Sequence, residues 1–198
     1  MVRLAHLADA PVLARIESRA WRKAYTTLLP EARLAELASD ARLAHWRSRL
    51  RSNGRREGRA ILVATRGGEP VGYVSLGPAD HPDLEPGFAG EVFELYVDPD
   101  HQGQGIGSEL LEAAFDALRQ AGLGWAVLEV LVDNAPARAF YAAQGLLTEG
   151  RTRRRTTRDT GYRATRYSLS RSSVRVIRYE TSLWDLRPSL LAGPEPIR

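Results

Sequence analysis

The sequence predicts a mixed α/β domain, of the α+β kind, built around one central sheet. Two observations support this prediction: β-forming runs and amphipathic helical stretches are interleaved along the 198 residues, and no internal repeat indicates a solenoid. The apolar share of 43% and the charged share of 26% are ordinary for a globular protein. The length favours one domain with room for a small appendage.

The first half of the chain begins with a short strand at residues 2–5. A helix is expected from Asp9, as its cap, to about Arg22, because apolar residues recur there at helical spacing: Leu13, Ile16 and Ala20. Two more helical stretches are expected, from about Pro30 and from Asp40. Two β-forming runs joined by a glycine-rich turn, 60–65 and 70–77, predict a hairpin, and the next strand is expected at 91–97.

The second half continues with a helix over 106–121 that should end at Gly122. One stripe of this helix is apolar: Ile106, Leu110, Leu111, Ala114, Phe115 and Leu118. The run 125–132 is strongly β-forming, and a short helix capped by Asn134 and closed by Gly145 follows it. One or two further strands and a proline-rich end complete the chain.

Composition excludes several classes of protein. The chain has no cysteine, which rules out a disulfide framework, thiolate zinc sites and a cysteine nucleophile. No apolar run approaches the roughly 18 residues of a membrane helix, and the N-terminus lacks the features of a signal peptide. We therefore expect a cytoplasmic protein without a membrane partner. The four histidines have no metal-ligand spacing, so no metal is expected.

Three alternate glycines, Gly103, Gly105 and Gly107, stand where the 106–121 helix must begin. Glycine costs a helix about 1 kcal/mol relative to alanine, so this pattern needs a reason. A tight turn is one explanation. A dinucleotide fingerprint is another, but its spacing and the position of its acidic residue do not match, and no Walker lysine follows. The third explanation is a pyrophosphate cradle of backbone N–H groups at the positive end of the helix.

The stretch "VDPDHQGQGIGSELL" resembles the acetyl-CoA signature of the Gcn5-related N-acetyltransferases, in which Gln/Arg-x-x-Gly-x-Gly/Ala binds the pyrophosphate. Gln102, Gly105 and Gly107 occupy those three positions. The stretch "LEVLVDNAPARAFYAAQGL" resembles the family's next strand and helix, and "DAPVLARIESRAWRKAYTTLLP" resembles its first helix and substrate-side loop. The resemblance covers about residues 1–170, which we expect to form the catalytic domain, with 171–198 as a C-terminal extension.

The resemblance implies a fold and a donor. The sheet should be mostly antiparallel and splayed between its fourth and fifth strands, and acetyl-CoA should be the co-substrate. Leu95, Tyr96 and Val97 would offer backbone contacts to the pantetheine arm, and Asn134 would donate a hydrogen bond to it. The pyrophosphate cradle would contain Gln102, Gly103, Gln104, Gly105, Ile106, Gly107 and Ser108.

The implied reaction is direct transfer of the acetyl group to a primary amine of a small molecule or peptide. Tyr141 would protonate the departing thiolate. An amine is mostly protonated at neutral pH, so a base is needed, and three carboxylates are candidates: Glu91, Glu94 and Glu129. Strand alternation places Glu94 on the opposite face from Glu91. A water chain without a dedicated residue is the fourth option.

The acceptor is the least determined part of the prediction. Trp21 and Tyr25 are four residues apart on the first helix, so they share a face and could shape the acceptor pocket or pack in the core. The alternative function is a non-catalytic acetyl-CoA-binding or regulatory module with the same fold.

Charge is unevenly distributed. Residues 151–198 contain 12 arginines and four acidic residues, a net charge of +8, which leaves −4 for residues 1–150. Nucleic acid is an unlikely partner, because aromatic residues are sparse near "RTRRRTTR" and no base-reading motif is present. Two segments, "YRATRYSLS" and "VRVIRYETSL", both resemble the family's closing strand. The additional one is an insertion or an extra strand that could pair across a homodimer.

Overall fold

The computed structural model describes two compact units, one containing Met1–Ala126 and one spanning Val127–Thr181. The residues that it describes are 1–26, 40–54, 58–80, 87, 89–131, 133–155 and 174–182. The helix expected near Pro30 lies outside them. Among the described residues, no helix is both long enough and apolar enough to cross a membrane.

The first unit contains four strands: β1 (Val2–Leu4), β2 (Ala60–Arg66), β3 (Glu69–Pro78) and β4 (Ala89–Val97). They pair in chain order, and every pair is antiparallel. The hairpin between β2 and β3 turns at Gly67 and Gly68, whose φ angles of 58° and 89° are those that glycine adopts without strain. The predicted strands and hairpin are confirmed.

Three helices are described in this unit outside its undescribed segments: α1 (Ala10–Tyr25), α2 (Asp40–Arg51) and α3 (Ile106–Gln120). Tyr73 of β3 packs against Trp46 of α2, with ring centroids 4.9 Å apart. Its neighbour Gly72 lies close to Leu110 of α3. Because adjacent strand residues point to opposite faces, α2 and α3 cover opposite faces of the sheet.

The apolar stripe predicted for α3 is buried along its whole length. It comprises Ile106, Leu110, Leu111, Ala114, Phe115 and Leu118. The helix ends one residue earlier than expected, and Gly122 follows with a φ of 80°. On the other face the core contains Ala5, Ala10, Leu13, Ile16, Trp46, Leu50, Ile61, Val63 and Tyr73. Burial of these apolar faces fixes the helices on the sheet.

The predicted capping role of Asp9 is wrong in its detail. Asp9 occupies the N-cap position of α1, but its carboxylate makes no capping hydrogen bond to that helix. Instead it accepts two hydrogen bonds from Arg3, at 2.8 and 2.9 Å, and one from the backbone N–H of His6 at 2.7 Å. Burial acts to raise the pKa of Asp9, but these bonds outweigh it and leave the pKa lowered. Asp9 therefore stabilises the turn that precedes α1.

The remaining elements are β5 (Trp125–Leu131), α4 (Ala135–Ala143), β6 (Leu147–Arg155) and β7 (Val174–Ser182). They lie in the second unit except for Trp125, Ala126 and Ser182, which belong to the first. Strand β7 pairs antiparallel with β6, and the register shifts between Thr148 and Thr152. Of the two Arg-Tyr segments, the second forms β7, whereas the first lies outside the described residues. The domain boundary near residue 170 stays a prediction.

Candidate active site

Strand β4 contains a bulge at Phe93. Ser75 of β3 is opposite Glu94, and Gly77 is opposite Glu91, so three steps along β4 match two steps along β3. Ser75 and Gly77 lie on one face of β3, and their partners therefore share a face as well. The expectation that Glu91 and Glu94 lie on opposite faces is wrong, because it assumed unbroken alternation.

The two glutamates lie on the face that α1 and α2 cover. Tyr96, two residues beyond Glu94, is on the same face, since its register partner Tyr73 packs against α2. The ring of Tyr96 lies 6.4 Å from that of Trp21 on α1. Trp21 in turn meets Tyr25 edge to face at 5.1 Å, which confirms that these two residues share a helix face. Aromatic side chains therefore share this face of the sheet with the two carboxylates.

The indole Nε1 of Trp21 is buried and has no hydrogen-bond partner in the part of the chain that the structure describes. A buried N–H donor normally has an acceptor. The described residues therefore supply no acceptor for the indole N–H of Trp21.

Glu94 forms an ion pair with Arg49. Its Oε2 lies 2.7 Å from a terminal nitrogen of Arg49 on α2, and Arg49 also donates to Ser75 Oγ at 2.8 Å. The guanidinium of Arg49 is 4.6 Å from the ring centre of Trp46, where a cation is favoured. Glu91 is 7% exposed. Glu94 thus has a described ion pair with Arg49, and Glu91 is the more buried of the two candidate bases on β4.

His45 lies next to this cluster on α2. Burial, followed by the charges of Arg42 and Arg49, lowers the pKa of His45 to about 4 against an opposing effect of Glu94. The imidazole is therefore neutral at pH 7. It adds no positive charge to the face that carries the two glutamates.

The glycines at the start of α3 have the conformation that their positions require. Beyond β4 the chain passes through a 3-10 turn, Pro99–His101, and then reaches Gly103 and Gly105, whose φ angles are 76° and 77°. Gly105 is the N-cap residue of α3. A side chain at either φ would be strained, which explains these two glycines by backbone geometry.

The N-terminus of α3 presents unused backbone donors. The N–H groups of Ser108 and Glu109 donate to the carbonyl of Gly105 at 3.0 and 3.1 Å. Among the described residues, the N–H groups of residues 103–107 donate to no backbone carbonyl. No atom lies within 4 Å of the point where a Cβ at Gly103 or Gly105 would stand. An anion fits this open, positive end of the helix. Since the N–H of Ser108 is engaged, that residue can offer only its hydroxyl.

The side chain of Gln102 fastens the turn rather than facing away from the protein. Its Nε2 donates to the carbonyl of Val97 at 3.1 Å, and its Oε1 accepts from Lys23 Nζ on α1 at 2.8 Å. Gln104 is exposed, and its Nε2 approaches the carbonyl of Asp100 at 3.4 Å. Gln102 therefore joins the end of β4, the cradle and α1.

Arg19 provides a second connection between α1 and this turn. It pairs with Asp98 at 3.0 Å and with Asp100 at 2.8 Å. Asp98 is 4% exposed and accepts a hydrogen bond from the N–H of Asp100. The hydrogen bond from Arg19, followed by its charge, lowers the pKa of Asp100. Sequence reasoning missed Arg19 and Lys23, although both lie on the predicted first helix and Lys23 is the chain's single lysine.

The second unit contains the other predicted site residues. Asn134 Oδ1 accepts a hydrogen bond from the N–H of Ala137 at 3.2 Å, which confirms the predicted cap of α4. Tyr141 is 9% exposed, and its neighbour Phe140 is less buried. Glu129 is partly exposed, and both of its neighbours in β5 are buried. Within the described ranges, no group of three or more potential ligand residues could hold a metal ion.

Several solved structures have this fold. The PaiA N-acetyltransferase of Thermoplasma acidophilum, in complex with coenzyme A, matches with a TM-score of 0.68 and 16% identity over 90% of this chain and 96% of that one. YncA of Salmonella typhimurium, a putative acetyltransferase with its cofactor acetyl-CoA, matches with a TM-score of 0.60 and 22% identity. The match covers 100% of this chain and 98% of YncA. These likenesses confirm the predicted α/β fold.

Sequence relatives extend the comparison. A probable N-acetyltransferase of Mycobacterium tuberculosis is 30% identical over 76% of this chain and 82% of its own length. A mycothiol acetyltransferase of Catenulispora acidiphila is 37% identical over 43% of this chain, which spans only 27% of that relative. An uncharacterised N-acetyltransferase of Archaeoglobus fulgidus is 37% identical over 43% of this chain, which spans 58% of that relative.

The family model described as the acetyltransferase (GNAT) family matches residues 15–146. That range contains most of α1 and all of β4, the glycine cradle and α4. Together with the relative matched along most of its length, it confirms the resemblance that the glycine motif carried. The chain belongs to the acetyltransferase (GNAT) family, whose N-acetyltransferases take their acetyl group from acetyl-CoA.

Proposed function

We propose that this chain transfers the acetyl group of acetyl-CoA to a primary amine of a small molecule or a peptide. The observation that carries the proposal is the open N-terminus of α3, where glycine backbone at Gly103 and Gly105 leaves N–H donors without acceptors. A pyrophosphate supplies the negative charge that such a helix end favours. Bound acetyl-CoA supplies an activated acyl thioester. The cytoplasmic location rests on the sequence alone and stays a prediction.

The roles of the chain's own residues follow from the chemistry. The amine nitrogen forms a bond to the acetyl carbon, the bond from that carbon to sulfur breaks, and the nitrogen loses a proton to a carboxylate. A backbone N–H of β4 stabilises the developing oxyanion, and Leu95–Val97 orient the donor by strand-like hydrogen bonds. Asn134 holds the same arm. Tyr141 gives its phenolic proton to the departing sulfur.

Glu91 is the base that we favour. It shares a face of β4 with the aromatic residues near α1, and its carboxylate is largely removed from water. Glu94 lies on the same face, but its Oε2 already forms an ion pair with Arg49 at 2.7 Å. Glu129 on β5 and a water chain remain the alternatives, because the family motif does not choose among them.

The acceptor is proposed to meet the aromatic face formed by Trp21, Tyr25 and Tyr96. These rings are 5.1 to 6.4 Å apart in successive pairs. Flat apolar rings next to carboxylates suit an amine carried on an apolar or cationic body. The buried Nε1 of Trp21 offers this acceptor one hydrogen bond.

The test is an acetyl transfer assay on a panel of small amines and peptides with free N-termini. Because the chain has no cysteine, a thiol-reactive chromophore reports released coenzyme A without background from the protein. Transfer should be found for at least one amine class. Tyr141→Phe should lower kcat by about 100-fold while leaving the Kd for coenzyme A unchanged.

Two results would contradict parts of this proposal. Coenzyme A binding with no transfer across the panel would favour the non-catalytic regulatory module. Unchanged turnover in Tyr141→Phe would exclude that residue as the acid and leave the transfer reaction itself in place.

A further inference from the structure

Lys23 lies at the entrance to the cradle. Its Nζ is 2.8 Å from Oε1 of Gln102, the residue that precedes the first glycine of the cradle. The amide of Gln102 cannot swing away freely, because its Nε2 is bonded to the carbonyl of Val97 at 3.1 Å. The ammonium group of Lys23 is therefore held beside the open backbone donors.

The partner of Lys23 is a neutral amide rather than a carboxylate. The nearby carboxylates, Asp98 and Asp100, are both paired with Arg19, at 3.0 and 2.8 Å. Asp100 still feels the charge of Lys23. Within the contacts that the structure describes, however, Lys23 forms no ion pair of its own. A cation bonded to an amide gains when an anion replaces the amide, because charge-assisted hydrogen bonds are about twice as strong as neutral ones.

The residue type fits an exchange of partners. A lysine ammonium is a compact charge on a flexible four-carbon stem, so it can move between two acceptors without the fixed geometry that arginine requires. Lys23 is exposed, and it is the only lysine in a chain that otherwise uses arginine for its positive charges. The adjoining N–H groups of residues 103–107 already mark the place of an anion.

We propose that Lys23 is a donor-binding residue, whose ammonium group leaves Gln102 to contact a phosphate oxygen of acetyl-CoA. This inference rests on the proposed function, since it assumes that the cradle binds the donor's phosphates. It adds a side-chain cation from α1 to a site otherwise formed by backbone at the start of α3. The phosphate can belong to the pyrophosphate or to the 3′-phosphate of the donor.

The test compares Lys23→Gln, Lys23→Arg and the control Arg15→Gln, which removes one positive charge from an exposed position on the same helix. Calorimetry would give the Kd of each for coenzyme A and for dephospho-coenzyme A, which lacks the 3′-phosphate. Lys23→Gln should weaken coenzyme A binding about 5- to 10-fold and flatten its salt dependence. Lys23→Arg should retain most of the affinity, and Arg15→Gln should change it less than 2-fold.

The two ligands distinguish the phosphates. An equal loss for both in Lys23→Gln places the contact at the pyrophosphate, whereas a loss for coenzyme A alone places it at the 3′-phosphate. Acetyl-pantetheine, which has no phosphate, should be used by wild type and Lys23→Gln with the same kcat/KM.

A second background separates direct contact from an effect through Gln102. Gln102→Ala removes the side chain that Lys23 now holds and keeps the backbone N–H. If Lys23 contacts phosphate, Lys23→Gln still weakens binding about 5-fold in that background; if it costs nothing there, the inference is overturned. If wild type binds coenzyme A and Lys23→Gln binds it with the same affinity, the role of Lys23 is overturned and the donor assignment stands. Wild type that fails to bind coenzyme A overturns the donor assignment as well.

Discussion

Glu91 and Glu94 lie on the same face of β4, although three residues separate them, because the strand bulges at Phe93. Bulges near active sites redirect side chains in this way. The two carboxylates face α1 and α2, and Glu94 forms an ion pair with Arg49. We propose that Glu91 is the base, whereas Glu94 is held in its ion pair with Arg49.

Glu91→Gln and Glu94→Gln should therefore have different effects on an amine that the chain acetylates. Glu91→Gln should lower kcat about 100-fold at pH 7, because the proton acceptor is lost. The ionisation of the base that the pH profile of kcat shows for wild type should shift in this variant. Glu94→Gln should lower kcat less than 10-fold and act mainly through the freed Arg49. Steady-state kinetics from pH 5.5 to 9 would measure both.

Arg49→Met provides the matched control. It removes the ion pair with Glu94 and keeps both carboxylates, so it should leave the pH profile of kcat in place if Glu91 is the base. A larger loss of kcat in Glu94→Gln than in Glu91→Gln would assign the base to Glu94 instead. Equal, small losses in both would direct the search to Glu129 or to a water chain.

Gly105→Ala tests the cradle by a defined strain. Gly105 has a φ of 77° with open space at the Cβ position, so alanine there costs backbone energy without a clash, about 1–2 kcal/mol. The new methyl group would also stand among the N–H donors. Chemical denaturation should show the stability loss, and calorimetry should show at least 10-fold weaker coenzyme A binding.

Gly122 supplies the control, since it follows α3 with a φ of 80° and equally open space. Gly122→Ala should lose a similar free energy of unfolding and bind coenzyme A as wild type does. Equal binding by the two alanine variants would mean that the start of α3 does not hold the donor.

Local sequence patterns predicted the local structure well. The stripe on α3, the cap at Asn134 and the glycines before α3 each depend on residues within one or two turns of one another. Backbone geometry and burial periodicity determine such features, and both are visible in the sequence.

Contacts between distant segments were not predictable. Lys23 and Gln102 are 79 residues apart, and their bond depends on how α1 packs on the sheet. The bulge at Phe93 was not predicted, because the alternation of side chains along a strand assumes that no residue is inserted. Asp9 was expected to cap α1, but its carboxylate pairs with the long side chain of Arg3 instead.

His45 should make stability depend on pH in a defined window. Its pKa is lowered to about 4, whereas an unfolded histidine titrates near 6.5, so the unfolded chain binds the proton first as pH falls. Stability should therefore fall as the pH decreases from 6.5 to 4. The lowered pKa values of Asp9 and Asp100 act below about pH 4 and stay outside this window.

Urea denaturation at pH 7, 6, 5 and 4.5 would measure this slope. His45→Gln should reduce the loss between pH 7 and 4.5, because its side chain does not titrate. His6→Gln retains His45 and should keep the wild-type loss. The same loss in His45→Gln as in wild type would show that other groups cause it.

The ion pair between Glu17 and Arg42 should be the most sensitive polar contact of the first unit. Glu17 is 0% exposed and Arg42 is 5% exposed, and Arg42 Nε donates to Glu17 Oε2 at 2.6 Å. Trp46 Nε1 donates to the same oxygen at 2.8 Å. Removing one charge leaves the other buried without its counterion, which costs about 3–5 kcal/mol.

Glu17→Gln should therefore lose at least 3 kcal/mol in urea denaturation, and Arg42→Met a comparable amount. The double variant Glu17→Gln, Arg42→Met removes both charges and keeps an acceptor for Trp46, so it should recover at least half of the loss. It also keeps the prediction measurable if a single variant does not fold. Losses that simply add in the double variant would show that the two side chains act independently, because coupled partners do not give additive free energies.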